Sequence, residues 1–147
     1  MPRQEESKTV SYTKDQMFDL VADIDRYDEF LPWCNNSKII NTSIEGNKKI
    51  VIADLEIGYD QLVYTYRSEV KLHKDKSEIN VRNLDGPFKY LENNWKFIAV
   101  NEVECEIQFN IDFELNVTLF DILMKKFFDL AFKKMTDAFI DRANEIY

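Results

Sequence analysis

Few residues of this 147-residue chain could do covalent chemistry. His73 is the one histidine; Lys71 and Lys74 flank it near the end of a predicted strand, the setting of a solvated edge residue. Cys34, expected on a loop, and Cys105, in a strand, share no metal-ligand spacing and form no disulfide framework, which fits a reduced setting. With one histidine, no Ser-His-Asp or Cys-His constellation is marked out. The three glycines build no phosphate-binding loop. Arg142 falls on the apolar side of a helical pattern, where it could reach a ligand's polar head or an inward carboxylate, or snorkel to water. No motif points to a catalytic Asp, Glu, Tyr or Arg, a cofactor or a metal. The residue types favour binding over bond making.

The segment best suited to binding runs from Gln16 to Cys34. Met17, Leu20, Val21 and Ile24 recur at helical spacing, with Thr13 and Gln16 placed as a capping box. Tyr27, Phe30, Leu31, Pro32 and Trp33 then crowd into seven positions, and Pro32 stops the helix from continuing. Large apolar groups on a loop either plug a core or form a wall for something else.

The elements that must position these residues follow from periodicity. Lys38 to Glu45 and Lys49 to Ile57 read as strands joined by a two-residue turn at Gly46-Asn47. Val51, Ala53, Leu55 and Ile57 share one face, as do Leu62, Tyr64, Tyr66, Val70 and Leu72 of the next strand. Ile79 with Val81, and Leu91, Trp95 and Phe97, mark two more strands. Cys105 to Leu115 alternates an apolar face with an entirely polar one, the pattern of an antiparallel sheet wet on one side. A long helix should cover it, opening at Thr118 and Asp121 and running without Pro or Gly to Tyr147. Its apolar face carries Phe120, Met124, Phe127, Phe128, Ala131, Phe132, Met135, Ala138, Phe139 and Ile146. Ile122, Leu123, Leu130 and Ile140 lie off that face. Lys125 and Lys133 each follow an aspartate by four residues and read as ion-paired; Lys126 and Lys134 do not. Apolar groups beside unpaired lysines suggest peripheral membrane contact or a dimer surface, against the plainer reading of a solvated face.

The fold expected is α+β: one domain over residues 1–147, residues 1–7 a disordered lead, and a curved antiparallel sheet gripping the C-terminal helix. Such a sheet encloses a wedge that side chains need not fill. Leu55, Ile57, Tyr64, Tyr66, Trp95, Phe109, Phe128 and Met135 would wall a cavity, and the 11 Phe and 7 Tyr are generous for a core alone. Phe30-Leu31-Pro32-Trp33 and, after Gly86-Pro87, Phe88 would line its entrance. The formal charge of −8 disfavours direct binding of nucleic acid. No apolar run is long enough to span a membrane. The acidic lead is too short for a mitochondrial transit peptide, so the expectation is a bacterial cytoplasmic protein, or a matrix-side one whose presequence has been removed, in either case able to sit peripherally on the inner membrane.

The Gln16–Cys34 segment resembles the START-type coenzyme Q-binding proteins of the polyketide cyclase and lipid-transport superfamily. So do Ala53-Asp-Leu-Glu-Ile-Gly-Tyr59, the stretch from Leu84 to Phe97, and the ending Met135 to Tyr147. The resemblance runs from about Lys8 to the C-terminus and implies the helix-grip (START/Bet v 1-like) fold. It implies a non-enzymatic chaperone for ubiquinone, a polyprenyl quinone held as ligand and not as cofactor, in support of respiratory electron transport. The same family includes ribosome-association toxins, so a protein that contacts a ribosomal subunit and blocks subunit joining is the second expectation. A polyketide-type cyclase or aromatase is the third.

Overall fold

The computed structural model describes residues 3–59, 62–116 and 121–147, with only the backbone of 59, 62 and 121–124. Seven strands, β1 (Arg3–Val10), β2 (Cys34–Glu45), β3 (Lys48–Tyr59), β4 (Leu62–His73), β5 (Glu78–Asp85), β6 (Phe88–Ala99) and β7 (Cys105–Leu115), form one antiparallel sheet in the order β1-β7-β6-β5-β4-β3-β2. α1 (Lys14–Ala22) and a 3-10 turn (Ile24–Glu29) lead from β1 to β2; α2 (Asp121–Lys133) and α3 (Met135–Ile146) follow β7. The inward residues of β7, Cys105 through Phe113, are buried at every second position, as their alternation requires.

α1 begins as its sequence dictates. The Thr13 hydroxyl accepts from the Gln16 amide at 3.1 Å, and the Gln16 side chain accepts from the Thr13 amide at 2.9 Å. The helix buries Met17, Phe18, Leu20 and Val21. Gly46, at φ 61°, makes the tight turn between β2 and β3. Gly86 sits at φ 135° where an added Cβ would lie 3.1 Å from the Thr65 carbonyl oxygen, so β6 can start close beside β4 and turn Phe88 inward.

Five expectations are corrected. The lead is not disordered from Arg3 onward, because β1 pairs along β7 from Arg3↔Asp112 to Val10↔Cys105. Its alternation is polar and so carries no apolar signal: Gln4 donates to the Asp129 carbonyl at 2.8 Å, Glu6 accepts from Thr136, and Lys8 pairs with Asp137. Cys34 opens β2 instead of lying in a loop. The C-terminal helix divides at Lys134 (φ −97°, ψ 5°), a break that no Pro or Gly marks. Ile146, placed on the apolar face, lies beyond the sheet and is 48 % exposed. Lys133 makes no ion pair with Asp129, while Lys125's expected partner Asp121 has an undescribed side chain, as do Ile122, Leu123 and Met124; Thr118 and Phe120 lie outside the described residues.

Candidate functional site

Between the concave face of the sheet and the C-terminal helices lies an apolar cavity of about 60 Å³. β3 contributes Leu55 and Ile57, β4 Tyr66, Ser68 and Val70, β5 Val81, β6 Phe88, Leu91, Asn93 and Trp95, and β7 Ile111. Phe128, Phe132, Met135 and Phe139 close it from the helices; Ile24, Tyr27 and Trp33 close it from the segment before β2. The helical aromatics pack with strand aromatics in one cluster: Phe88 lies 5.0 Å from Phe128 in a tilted pair, while Phe113 lies 4.9 Å from Phe132 and Trp95 5.1 Å from Phe139, both edge-to-face. The cavity has room for water but not for a ring system, since small-molecule sites measure roughly 300–1,000 Å³.

Of the residues expected at the site, Trp33, Leu55, Ile57, Tyr66, Phe88, Trp95, Phe128 and Met135 line this cavity together. The other five do not. Leu31 is buried in the core away from it, and Phe109 packs behind Trp95 at 4.7 Å. Tyr64 is half-buried on β4 beyond Tyr66. Phe30 and Pro32 line an outer cleft with Lys134, Asp137 and Arg142. Phe88 is 4 % exposed at the centre of the cluster, so it forms wall and not rim. Trp33 also walls a second, outer groove of about 410 Å³ with Pro32, Gly58, Leu130, Ala131 and Lys134. Its ring therefore stands between groove and cavity.

Ser68 and Asn93 are the polar residues that the sequence reading missed. Both fall in the inward phase of otherwise apolar strands, Ser68 between Tyr66 and Val70 and Asn93 between Leu91 and Trp95, so strict period-two counting finds them. Asn93 is fully engaged: it donates to the Asn110 carbonyl at 2.8 Å and accepts from the Trp95 indole at 3.0 Å. The Tyr27 hydroxyl donates to the Val21 carbonyl. The Tyr66 hydroxyl is different. It is buried, and the Ser68 hydroxyl lies near enough to act on it electrostatically but outside strict hydrogen-bonding geometry, so the phenol proton has no well-formed acceptor. Burial pushes its pKa well above the usual tyrosine range, and the hydrogen-bonding influence of the Ser68 hydroxyl pulls the other way. It stays protonated and offers one donor to a largely apolar space.

The remaining candidates for chemistry are not gathered at the cavity. Burial pushes the Cys34 thiol up to about 12 and Cys105 up to about 11, so neither is a thiolate near neutral pH. His73 closes β4, half-buried. Among the described residues no group of His, Cys, Asp or Glu could hold a metal ion. Arg142 turns away from the cavity: it pairs with Glu29 at 2.6 Å and lies over the Phe30 ring at 5.3 Å.

The two closing helices are fastened differently. α3 is tied to β1 by Thr136–Glu6 and Lys8–Asp137, to the connection before α1 by Tyr12–Asn144, and to the 3-10 turn by Arg142–Glu29. Among the described residues of α2 one such tie is present, Gln4 to the Asp129 carbonyl; aromatic packing does the rest.

A curved antiparallel sheet closed by C-terminal helices over an apolar interior is the helix-grip fold of START-like ligand-binding proteins. The chain belongs to the family described as polyketide cyclase/dehydrase and lipid transport, which it matches over residues 10–140. It is 34% identical to the coenzyme Q-binding protein COQ10 homolog B, mitochondrial, of Xenopus laevis, across 97% of this chain and 58% of that protein's length. It is 31% identical to the ribosome association toxin RatA of Escherichia coli strain K12, across 100% of this chain and 90% of the toxin. The Zhui aromatase/cyclase from Streptomyces sp. R1128 shares the fold, with a TM-score of 0.78 at 15% identity over 97% of this chain and 93% of that one. Family membership by itself admits both a carrier and an enzyme.

Proposed function

We propose that this protein is a non-enzymatic carrier of a polyprenyl quinone such as ubiquinone. The observation that carries the reading is the unpartnered Tyr66 hydroxyl in an apolar cavity. A quinone is an apolar molecule whose ring oxygens accept hydrogen bonds, so it would satisfy that donor while its carbons meet Leu55, Phe88 and Phe128. Each buried CH₂ of a prenyl tail adds about 0.8 kcal/mol. The coenzyme Q-binding relative supports the ligand class.

Tyr66→Phe tests it. One lost hydrogen bond is worth about 0.5–1.5 kcal/mol, so affinity for a short-chain quinone, read from quenching of tryptophan fluorescence, should fall roughly 2- to 12-fold. The melting temperature should hold or rise, because a buried orphan hydroxyl has gone. Unchanged affinity, together with no quinone extracted from gently purified parent protein, would remove the carrier reading.

A cavity of this size must widen as well as open to take a quinone ring. α2, pivoting at Lys134, is the element we expect to move, since among the described residues α3 holds most of the polar ties. Hydrogen exchange should therefore be faster at the amides of residues 125–133 than at those of 137–146. Equal protection of both helices would count against α2 as the door.

A ribosome-contacting protein is the second reading. It is favoured by the alignment with the ribosome association toxin, which takes in the whole of this chain.

A further inference from the structure

We propose that the exposed face of α2 is a docking surface for an anionic lipid bilayer. The argument begins with charge segregation. Residues 125–134 hold four lysines and one aspartate, a local +3 in a chain of formal charge −8, so the remainder carries −11. Elsewhere, basic side chains are largely consumed by ion pairs: Arg3, Lys8, Arg26, Arg67, Lys71, Lys74, Arg82, Lys96 and Arg142 each lie within 4 Å of a carboxylate. Lys125, Lys126, Lys133 and Lys134 are exposed and take part in no ion pair among the described residues.

The lysines surround apolar surface. At 100° per residue, Lys126, Leu130 and Lys133 fall within an arc of about 60°, and Lys134 follows at the break. Leu130 is 52 % exposed, and beside it the outer groove runs to Ala131, Pro32 and Trp33. A protein partner is a poor match, because lysine is depleted at protein interfaces. RNA would use the charge but not the apolar centre, and the other −11 would repel it as it wraps. A bilayer uses both: leucine enters the acyl boundary while lysine stems snorkel to lipid phosphates. A flat membrane also meets one face alone, and acidic groups more than about 10 Å away are screened at ordinary salt. Asp137 and Asp141, beyond the break, bound the basic face on one side.

Docked this way, the protein turns its Trp33 wall and its loosely tied helix toward the phase in which a lipid ligand dissolves. That orientation rests on the carrier reading; the charge argument does not.

Vesicle flotation tests the surface. The parent should float with phosphatidylcholine vesicles containing about one third phosphatidylglycerol, should not float with pure phosphatidylcholine, and should release as salt is raised. Lys126→Glu, Lys133→Glu and Lys134→Glu combined should lower partitioning more than a hundredfold, given roughly five-fold per lysine near an anionic surface. Leu130→Glu should weaken it independently. Lys49→Glu with Lys76→Glu, exposed lysines elsewhere, should bind as the parent does. Short-chain quinone binding, measured on the same proteins in solution, keeps the two readings apart. Vesicle binding without quinone binding would remove the carrier and leave this surface. A parent that ignores anionic vesicles, or a triple variant that binds them undiminished, overturns the proposal. So does a parent that binds ribosomal RNA and not vesicles through these same lysines.

Discussion

Replacing Leu55 with lysine is expected to lower the melting temperature by roughly 10–20 °C, at roughly 2–4 °C per kcal/mol for a chain of this size. Leu55 is 5 % exposed on the concave face of β3 and lines the cavity. Its surroundings are largely apolar: opposite it stand Tyr66 on β4 and Ser37 on β2, whose hydroxyl is already bonded to the Asp28 amide and the Asp25 carbonyl. An ammonium there has no partner, so the folded state holds the lysine neutral, and at pH 7 that costs about 4–5 kcal/mol from an ordinary pKa near 10.4. The sign of the pH dependence follows. The unfolded chain binds a proton that the folded chain rejects, so the deficit against the parent shrinks as pH rises from 7 toward 10. Thermal melts at several pH values check both statements. Leu55→Met, which nearly conserves volume, should melt close to the parent and keep quinone binding. A Leu55→Lys protein that melts within a degree or two of the parent would mean that this space is open to water and larger than the structure shows.

Why β3 was readable in the sequence and β1 was not comes down to what each inward position touches. Leu55 and Ile57 meet other apolar groups, so burial writes a period-two hydrophobic pattern that anyone can count. Gln4, Glu6 and Lys8 also face inward, but they meet Asp129, Thr136 and Asp137 on the helices. Their burial is carried by hydrogen bonds and ion pairs between residues more than 120 positions apart, which no local pattern records. The site divides in the same way. Six of its wall residues were visible as members of apolar faces, Trp33 and Phe88 were expected at the entrance instead, and the Thr13–Gln16 cap fixed where α1 starts. The aromatic loop was visible too, but not its direction: Trp33 goes in while Phe30 and Pro32 stay on the outer cleft. Least legible is the Tyr66 hydroxyl, because lacking a partner is a property of the assembled neighbourhood and not of any sequence interval.

The same long-range logic singles out Phe139. In the sequence it is one more member of the apolar face of a helix. In the structure its ring, 1 % exposed, lies 5.2 Å from Tyr27, 5.1 Å from Phe30 and 5.1 Å from Trp95, edge-on to each. It thus joins α3, the segment before β2 and the floor of the sheet at one point. Phe139→Ala should cost about 3–5 kcal/mol, the transfer of the ring plus the void it leaves. The void would merge with the existing cavity, which Phe139 already lines. The variant should therefore recover stability with a small apolar ligand such as benzene, by the mass-action term that favours any state with a filled site. Denaturant titration with and without the ligand measures both effects. Phe139→Leu should retain more than half of the lost stability, since it refills much of the volume but not the edge-to-face contacts. A loss under about 1 kcal/mol for Phe139→Ala would show that the three elements are not clasped there, and that the segment carrying Trp33 is held in place by its polar ties, the Arg142–Glu29 pair and the Gly58 amide's bond to the Trp33 carbonyl among them.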